Sequence, residues 1–206
     1  MGYTHYWYRK NKQIEPGIFE RIASDFKKLL PKFNEFKIPL AGGDGEGDPI
    51  ITREEICFNG CAHCGHPESY ELGIAWPSKT AGGIANTWRE DVRSADWFAG
   101  AMIDKRACSG NCSHEACYFP RAVPKDHYKY FGYHPTEENG EGWHFDFCKT
   151  AYKPYDLPVT CFLVLAKHHL PGTLWVSSDG ETQHWAEARI LCQQVLGFGA
   201  EFELNC

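Results

Sequence analysis

The pattern of apolar and polar positions divides the chain into two regular flanks around a patternless middle. Residues 3–9 are aromatic and rich in strand formers, and predict a first strand. Glu15-Pro16-Gly17 opens a helix on which Ile18, Ile22, Phe26, Leu29 and Leu30 recur at helical spacing, with Glu20, Arg21, Asp25 and Lys28 on the other side. Pro31 or Pro39 is expected to end it. Residues 42–49 form a glycine-rich acidic loop, and 50–59 return to strand character. Alternation resumes at Trp143–Cys148, followed by a helix over 156–169, a strand over 174–178, a turn at Ser178-Asp179-Gly180 and a helix over 185–196 stopped by Gly197.

The order is β-α-β, insert, β-α-β, α. It predicts one α+β domain, 1–206, with a ferredoxin-like split βαβ sheet, helices on one face and a large irregular insert over 60–142. A Rossmann-like parallel sheet would need a glycine fingerprint in the first strand–helix turn, where residues 9–13 offer none. The insert is rich in Gly, Pro, Cys, His and Trp and too poor in apolar periodicity to hold itself together. A staple is therefore expected.

Cysteine supplies the candidate staple. Five of the ten cysteines, Cys61, Cys64, Cys108, Cys112 and Cys117, cluster among His63, His66 and His114. Two thiolates separated by two residues can bite one tetrahedral zinc, and a second group can close the site. The expected cofactor is structural Zn2+, since four protein ligands leave no open position. An iron–sulfur cluster and unliganded reduced thiols are the competitors. Two sites can also be drawn, one from Cys57, Cys61, Cys64 and His66 and one from Cys108, Cys112, His114 and Cys117. That drawing is disfavoured because Cys57 sits in an expected strand.

Net charge is −6, with 43% hydrophobic and 23% charged residues, and the pI is about 5.9. These values fit a globular chain and argue against nonspecific nucleic-acid binding. The longest apolar run, about 157–166, is too short to cross a bilayer, so no membrane partner is expected. The chain opens without a basic-then-apolar leader, and Gly2 is followed by Tyr6 where a myristoylation signal wants Ser or Thr. A cytoplasmic protein is expected. In that setting the Asn111-Cys112-Ser113 sequon has no consequence.

Other residues suggest a ligand site. Lys149, Thr150 and Lys153 stand between a strand end and the start of the 156–169 helix, where a phosphate or carboxylate can be held. Asp156 can cap that helix instead. Asp179 reads first as a turn residue. Asp44, Glu46 and Asp48 lack EF-hand spacing and read as a solvated loop. On the first strand His5 and Trp7 point to one face, and Thr4, Tyr6 and Tyr8 to the other. Cys148 reads as a buried thiol.

The stretches 2–7, Cys57-Phe58-Asn59-Gly60, 147–156 and Ser177-Ser178-Asp179-Gly180 together resemble a family of uncharacterised proteins encoded by bacteria and bacteriophages. The resemblance covers about 1–60 and 143–197. It implies an intracellular bacterial or phage context and no particular activity.

The expectation is a zinc-stapled binder of a small anionic ligand such as a nucleotide, with His5, Asn59, Lys149, Thr150, Lys153, Asp156 and Asp179 as polar contacts and Tyr6 or Trp7 for stacking. One alternative is a hydrolase or nuclease with Asp156 and Asp179 around a divalent cation. Another is a protein-interaction module whose insert presents Trp76, Trp88, Trp97 and Phe98 to a partner.

Overall fold

The computed structural model describes residues 3–66, 96–98, 101–103, 106, 108–124 and 143–205. Strand β1 (Thr4–Arg9) leads to helix α1 (Pro16–Glu35), then to the short strands β2 (Leu40–Ala41) and β3 (Ile50–Ile51) and to β4 (Glu55–Gly60). The hairpin strands β5 (Asp96–Phe98) and β6 (Ala101–Ile103) and the strand β7 (Cys117–Pro120) follow. The chain then runs through β8 (His144–Lys149), α2 (Asp156–His169), β9 (Leu174–Ser178), a 3-10 turn (Thr182–Trp185) and α3 (Ala186–Leu196).

The α+β class holds. β1 lies between β8 and β9 and is antiparallel to both, so β8, α2 and β9 form one split βαβ unit around it. A full ferredoxin-like sheet would add the strand after α1 beside β8. Among the described residues β4 instead pairs with β2, β3 and β7 in a second antiparallel sheet. The expected 50–59 strand is a hairpin, because the Thr52 hydroxyl accepts from the Glu54 and Glu55 amides and turns the chain. β7 falls inside the expected insert yet belongs to the sheet, with Phe119 buried in the core.

Helix α1 begins with a proline that needs no amide partner and with the Glu15 carboxylate accepting from the Ile18 amide at 2.8 Å. Its stripe of Phe19, Ile22, Ala23, Phe26, Leu29 and Phe33 is buried, and Leu30 packs at the margin. Pro31 does not end the helix. The end comes at Phe36, where Lys37 adopts a left-handed φ of 58°. The Ile38 amide donates to Phe33 O and the Lys37 amide to Asn34 O, the paired bonds of a Schellman cap with lysine in the usual glycine place.

Helix α2 is buried on all sides from Asp156 to Ala166, as befits a helix without a polar face. Phe162 meets Phe26, Phe58 and Phe119, which come from α1, β4 and β7, so both sheets share one aromatic core. Arg9 is buried beneath β7. It donates to the carbonyls of Pro120 and Lys12 and lies 5.1 Å over the Phe119 ring. Burial pulls its pKa down to about 10.

Candidate metal centre and polar cluster

Cys64, His66, Cys108 and Cys112 converge so that one ligand atom from each lies within 4.8 Å of the others. Cys64 Sγ is 3.7 Å from Cys108 Sγ, and His66 Nδ1 is 3.4 Å from Cys108 Sγ and 3.3 Å from Cys112 Sγ. These four side chains could hold a metal ion. The other imidazole nitrogen, His66 Nε2, lies 2.8 Å from Lys37 O. A carbonyl only accepts, so Nε2 carries the proton and Nδ1 offers its lone pair to the cluster. A fixed tautomer of this kind is the usual outer support of a ligating histidine. Burial pushes the Cys108 and Cys112 thiols up. It acts the same way on Cys64, but hydrogen bonds from the His66 amide and the neighbouring thiols draw that group down overall.

The backbone holds the two cysteine loops together. The Cys112 amide donates to Cys61 O at 3.0 Å. A Cβ on Gly60 would stand 2.1 Å from Cys112 O, so only glycine admits this approach. Asn59, 1% exposed, uses all its hydrogen-bonding capacity here. Its Nδ2 donates to Gly43 O and His114 O, and its Oδ1 accepts from the Gly60 and His114 amides. Lys153 Nζ donates to Asn111 O and Ser113 O and so ties the second loop to the start of α2.

The structure therefore joins Cys64 and His66 of the first loop to Cys108 and Cys112 of the second, and of the five expected cysteines leaves Cys61 and Cys117 out. Cys61 contributes its backbone carbonyl, and Cys117 is buried on β7 beside Cys148, outside the group. The alternation that buries Phe119 buries Cys117 as well. The Asp44 side chain accepts from the Glu46 amide within its own loop.

A second cluster lies where β1, β9 and α2 meet. His5 is fully buried, with Nε2 2.8 Å from Asp156 Oδ1 and Nδ1 3.0 Å from Ser178 Oγ. Thr150 Oγ1 donates to Asp156 Oδ1, and Arg106 reaches Asp156 Oδ2 at 3.4 Å and Glu187 Oε2. Burial raises the Asp156 carboxyl, but His5, Arg106 and Thr150 outweigh it and hold the group below the usual carboxylate range. The His5 ring meets Tyr3 and Trp185 edge-on at 5.2 and 4.9 Å.

Of the remaining expected contacts, Trp7 faces the core at 1% exposure, against Phe119. Tyr6 Oη donates to Asp179 Oδ1, and Asp179 Oδ2 accepts the Thr4 amide, so Asp179 anchors the turn it was expected to make. Tyr6 and Tyr8 share the outer face of the sheet with Phe145, Phe147 and Trp175. Tyr6 and Phe145 stack at 6.2 Å, and Phe145 and Phe147 at 5.9 Å. Lys149 lies opposite Thr4 on that face. Trp76 and Trp88 fall outside the described residues, and for Trp97 and Phe98 only the strand β5 is described.

Arg9, Arg106 and Glu187 were not singled out, and Ser178 was named only within its turn stretch, without a role of its own. The alternation that puts His5 inward would have flagged the facing Ser178, but nothing local marks a buried arginine. A cleft of about 310 Å³ opens between the start of α1 and the α2–β9 turn, lined by Arg9, Gln13, Ile18 and His169, and none of the expected site residues borders it. No family model, no curated protein and no solved structure matches the chain. No helix among the described residues is long and apolar enough to cross a membrane.

Proposed function

We propose that the protein is a zinc-stapled binder of a small anionic ligand bearing an aromatic ring, such as a nucleotide, and that the ligand lies on the outer face of the β8-β1-β9 sheet. One observation carries the reading: four half-buried rings, Tyr6, Tyr8, Phe145 and Phe147, share that face with Lys149. Stacked aromatics on a sheet accept nucleobases, and a lysine at the edge meets a phosphate. The contact set is thus Tyr6 and Lys149 from the sequence reading, with the rings of β8 added. The test is a fluorescence titration with ATP. Saturable quenching that is weakened in both Phe147→Ala and Lys149→Ala supports the reading. Absence of saturable quenching, or quenching indifferent to both changes, overturns it.

Zinc suits the donor set. Bonds of about 2.3 Å to sulfur and 2.0 Å to nitrogen give a tetrahedron with sulfur–sulfur edges of about 3.8 Å and sulfur–nitrogen edges of about 3.5 Å. The separations of 3.7, 3.4 and 3.3 Å are close to those edges. Three thiols and one imidazole complete the coordination, which makes the ion structural. Elemental analysis should find one zinc per chain, lost in Cys108→Ser. Free thiols and the resemblance to bacterial and phage proteins support a reducing bacterial cytoplasm.

A divalent-cation hydrolase built on Asp156 and Asp179 has less support. Each of their carboxylate oxygens already accepts a hydrogen bond, from His5, Thr150, Arg106, Thr4 or Tyr6.

A further inference from the structure

We propose that Ser178 is an activated nucleophile, with His5 as its base and Asp156 as the group that orients His5, and that it transfers acyl groups from small carboxylic esters to water. The inference is separate from the outer-face ligand reading, because His5 and Ser178 face inward from the same strands.

Geometry comes first. The ionised Asp156 carboxylate can only accept, so in the neutral imidazole Nε2 carries the proton toward Asp156 at 2.8 Å. Nδ1 is then the acceptor, and Ser178 Oγ is 3.0 Å away. A nucleophile within reach of a base that is itself oriented by a third group is the pattern of activated serine. The competing acceptor, Thr4 O, is more distant at 3.4 Å. The three residues come from β9, β1 and α2, all rigid elements, and Tyr3 and Trp185 hold the imidazole edge-on from their positions beside it. His5 and Asp156 are buried, and Ser178 is partly exposed.

The backbone gives an independent sign. Ala151 and Tyr152 both adopt left-handed φ values, 50° and 55°, immediately after Thr150. Two consecutive side-chain-bearing residues in this region cost on the order of 1 kcal/mol each. Bonds from the Thr150 and Ala151 amides to Tyr3 O, and from the Tyr152 amide to Thr150 Oγ1, hold the turn in place. Its result is to present the Thr150 hydroxyl to Asp156 and the Tyr152 ring to Tyr3, 4.9 Å apart. Strain of this kind gathers at sites where geometry is held for chemistry.

In the reaction, Ser178 Oγ bonds to the ester carbonyl carbon and its proton passes to His5 Nδ1. The carbon–alkoxy bond breaks, and the leaving alcohol takes that proton. Water then attacks the acyl-serine, gives a proton to His5, and the bond to Oγ breaks as Ser178 recovers its proton, releasing the carboxylic acid. Before attack, the Gly180 amide donates to Ser178 Oγ at 3.1 Å and helps fix the position of that oxygen.

The test uses the full chain and an alkyl fluorophosphonate, which phosphonylates an activated serine with loss of fluoride, followed by peptide mass spectrometry. The expected result is one adduct on Ser178, absent in Ser178→Ala and retained in Ser177→Ala. Its formation should slow about 100-fold or more in His5→Gln, the usual contribution of a general base. No adduct on Ser178, or an equal rate in a folded His5→Gln variant, overturns the proposal. Should His5→Gln fail to fold, the wild-type chain decides: labelling of Ser177 and Ser178 to the same extent overturns it, and labelling confined to Ser178 supports it.

Discussion

His66 donates its Nε2 proton to the carbonyl of Lys37, 2.8 Å away, and Lys37 is the left-handed residue that closes helix α1. The helix cap thus also fixes the histidine that faces Cys108 and Cys112. Glycine reaches this backbone conformation without a Cβ penalty. Lys37→Gly should therefore keep metal binding and stabilise the fold by about 0.5–1 kcal/mol. Chemical denaturation of the loaded protein, with elemental analysis alongside, reads both outcomes.

Removing the ion should loosen the cysteine loops selectively. After chelation, hydrogen exchange should quicken at the Asn111 and Cys112 amides, which bond to Cys108 O and Cys61 O. The β1 amides paired with β8 should stay protected, because that sheet closes without the cluster. Uniform loss of protection would show that the metal holds the whole fold.

Gly60→Ala places a methyl group where Cys112 O stands, 2.1 Å away. Backbone faces backbone, so neither side can move aside cheaply. A loss of about 1–3 kcal/mol is expected, together with weaker metal retention. A melting temperature equal to the wild type's would contradict the close approach.

Acid sensitivity should trace to Asp156. Its folded-state pKa is depressed despite burial, because His5, Arg106 and Thr150 favour the charged form. A depressed carboxyl contributes stability that is complete above the unfolded value, about 3.9, and that drains as pH falls through the folded value. Asp156→Asn should flatten the stability profile below about pH 4. At neutral pH it should cost about 3 kcal/mol, because a buried charge partner is removed from Arg106 and the His5 bond is weakened. Urea melts across pH measure both.

Phe162→Ala should cost about 3–5 kcal/mol, since this ring joins Phe26, Phe58 and Phe119 from three elements. Trp175→Ser should cost clearly less, because that residue is 47% exposed and its ring packs on Trp143 at the sheet surface rather than in the core. Thermal melts of the pair separate the core from the sheet surface.

Local pattern settled a good deal by itself. Proline and an acidic cap start α1, Gly197 stops α3 at a left-handed φ of 83°, and an apolar run without a polar face makes α2 the buried helix. These features act over a few residues, within reach of propensity and periodicity. Alternation along β1 also sorted His5 and Trp7 from Tyr6 and Tyr8. Only the tertiary structure decided the rest. Strand pairing brought β7 out of the apparent insert and into the sheet, and took Cys117 with it. The close backbone approach at Gly60 and the cap at Lys37 placed His66 rather than the Cys61 side chain in the cluster. Arg9 and Arg106 became buried because carbonyls and carboxylates from distant segments converge on them. Partners so far apart in sequence leave no periodic trace, because their attraction exists only once the chain has closed around them.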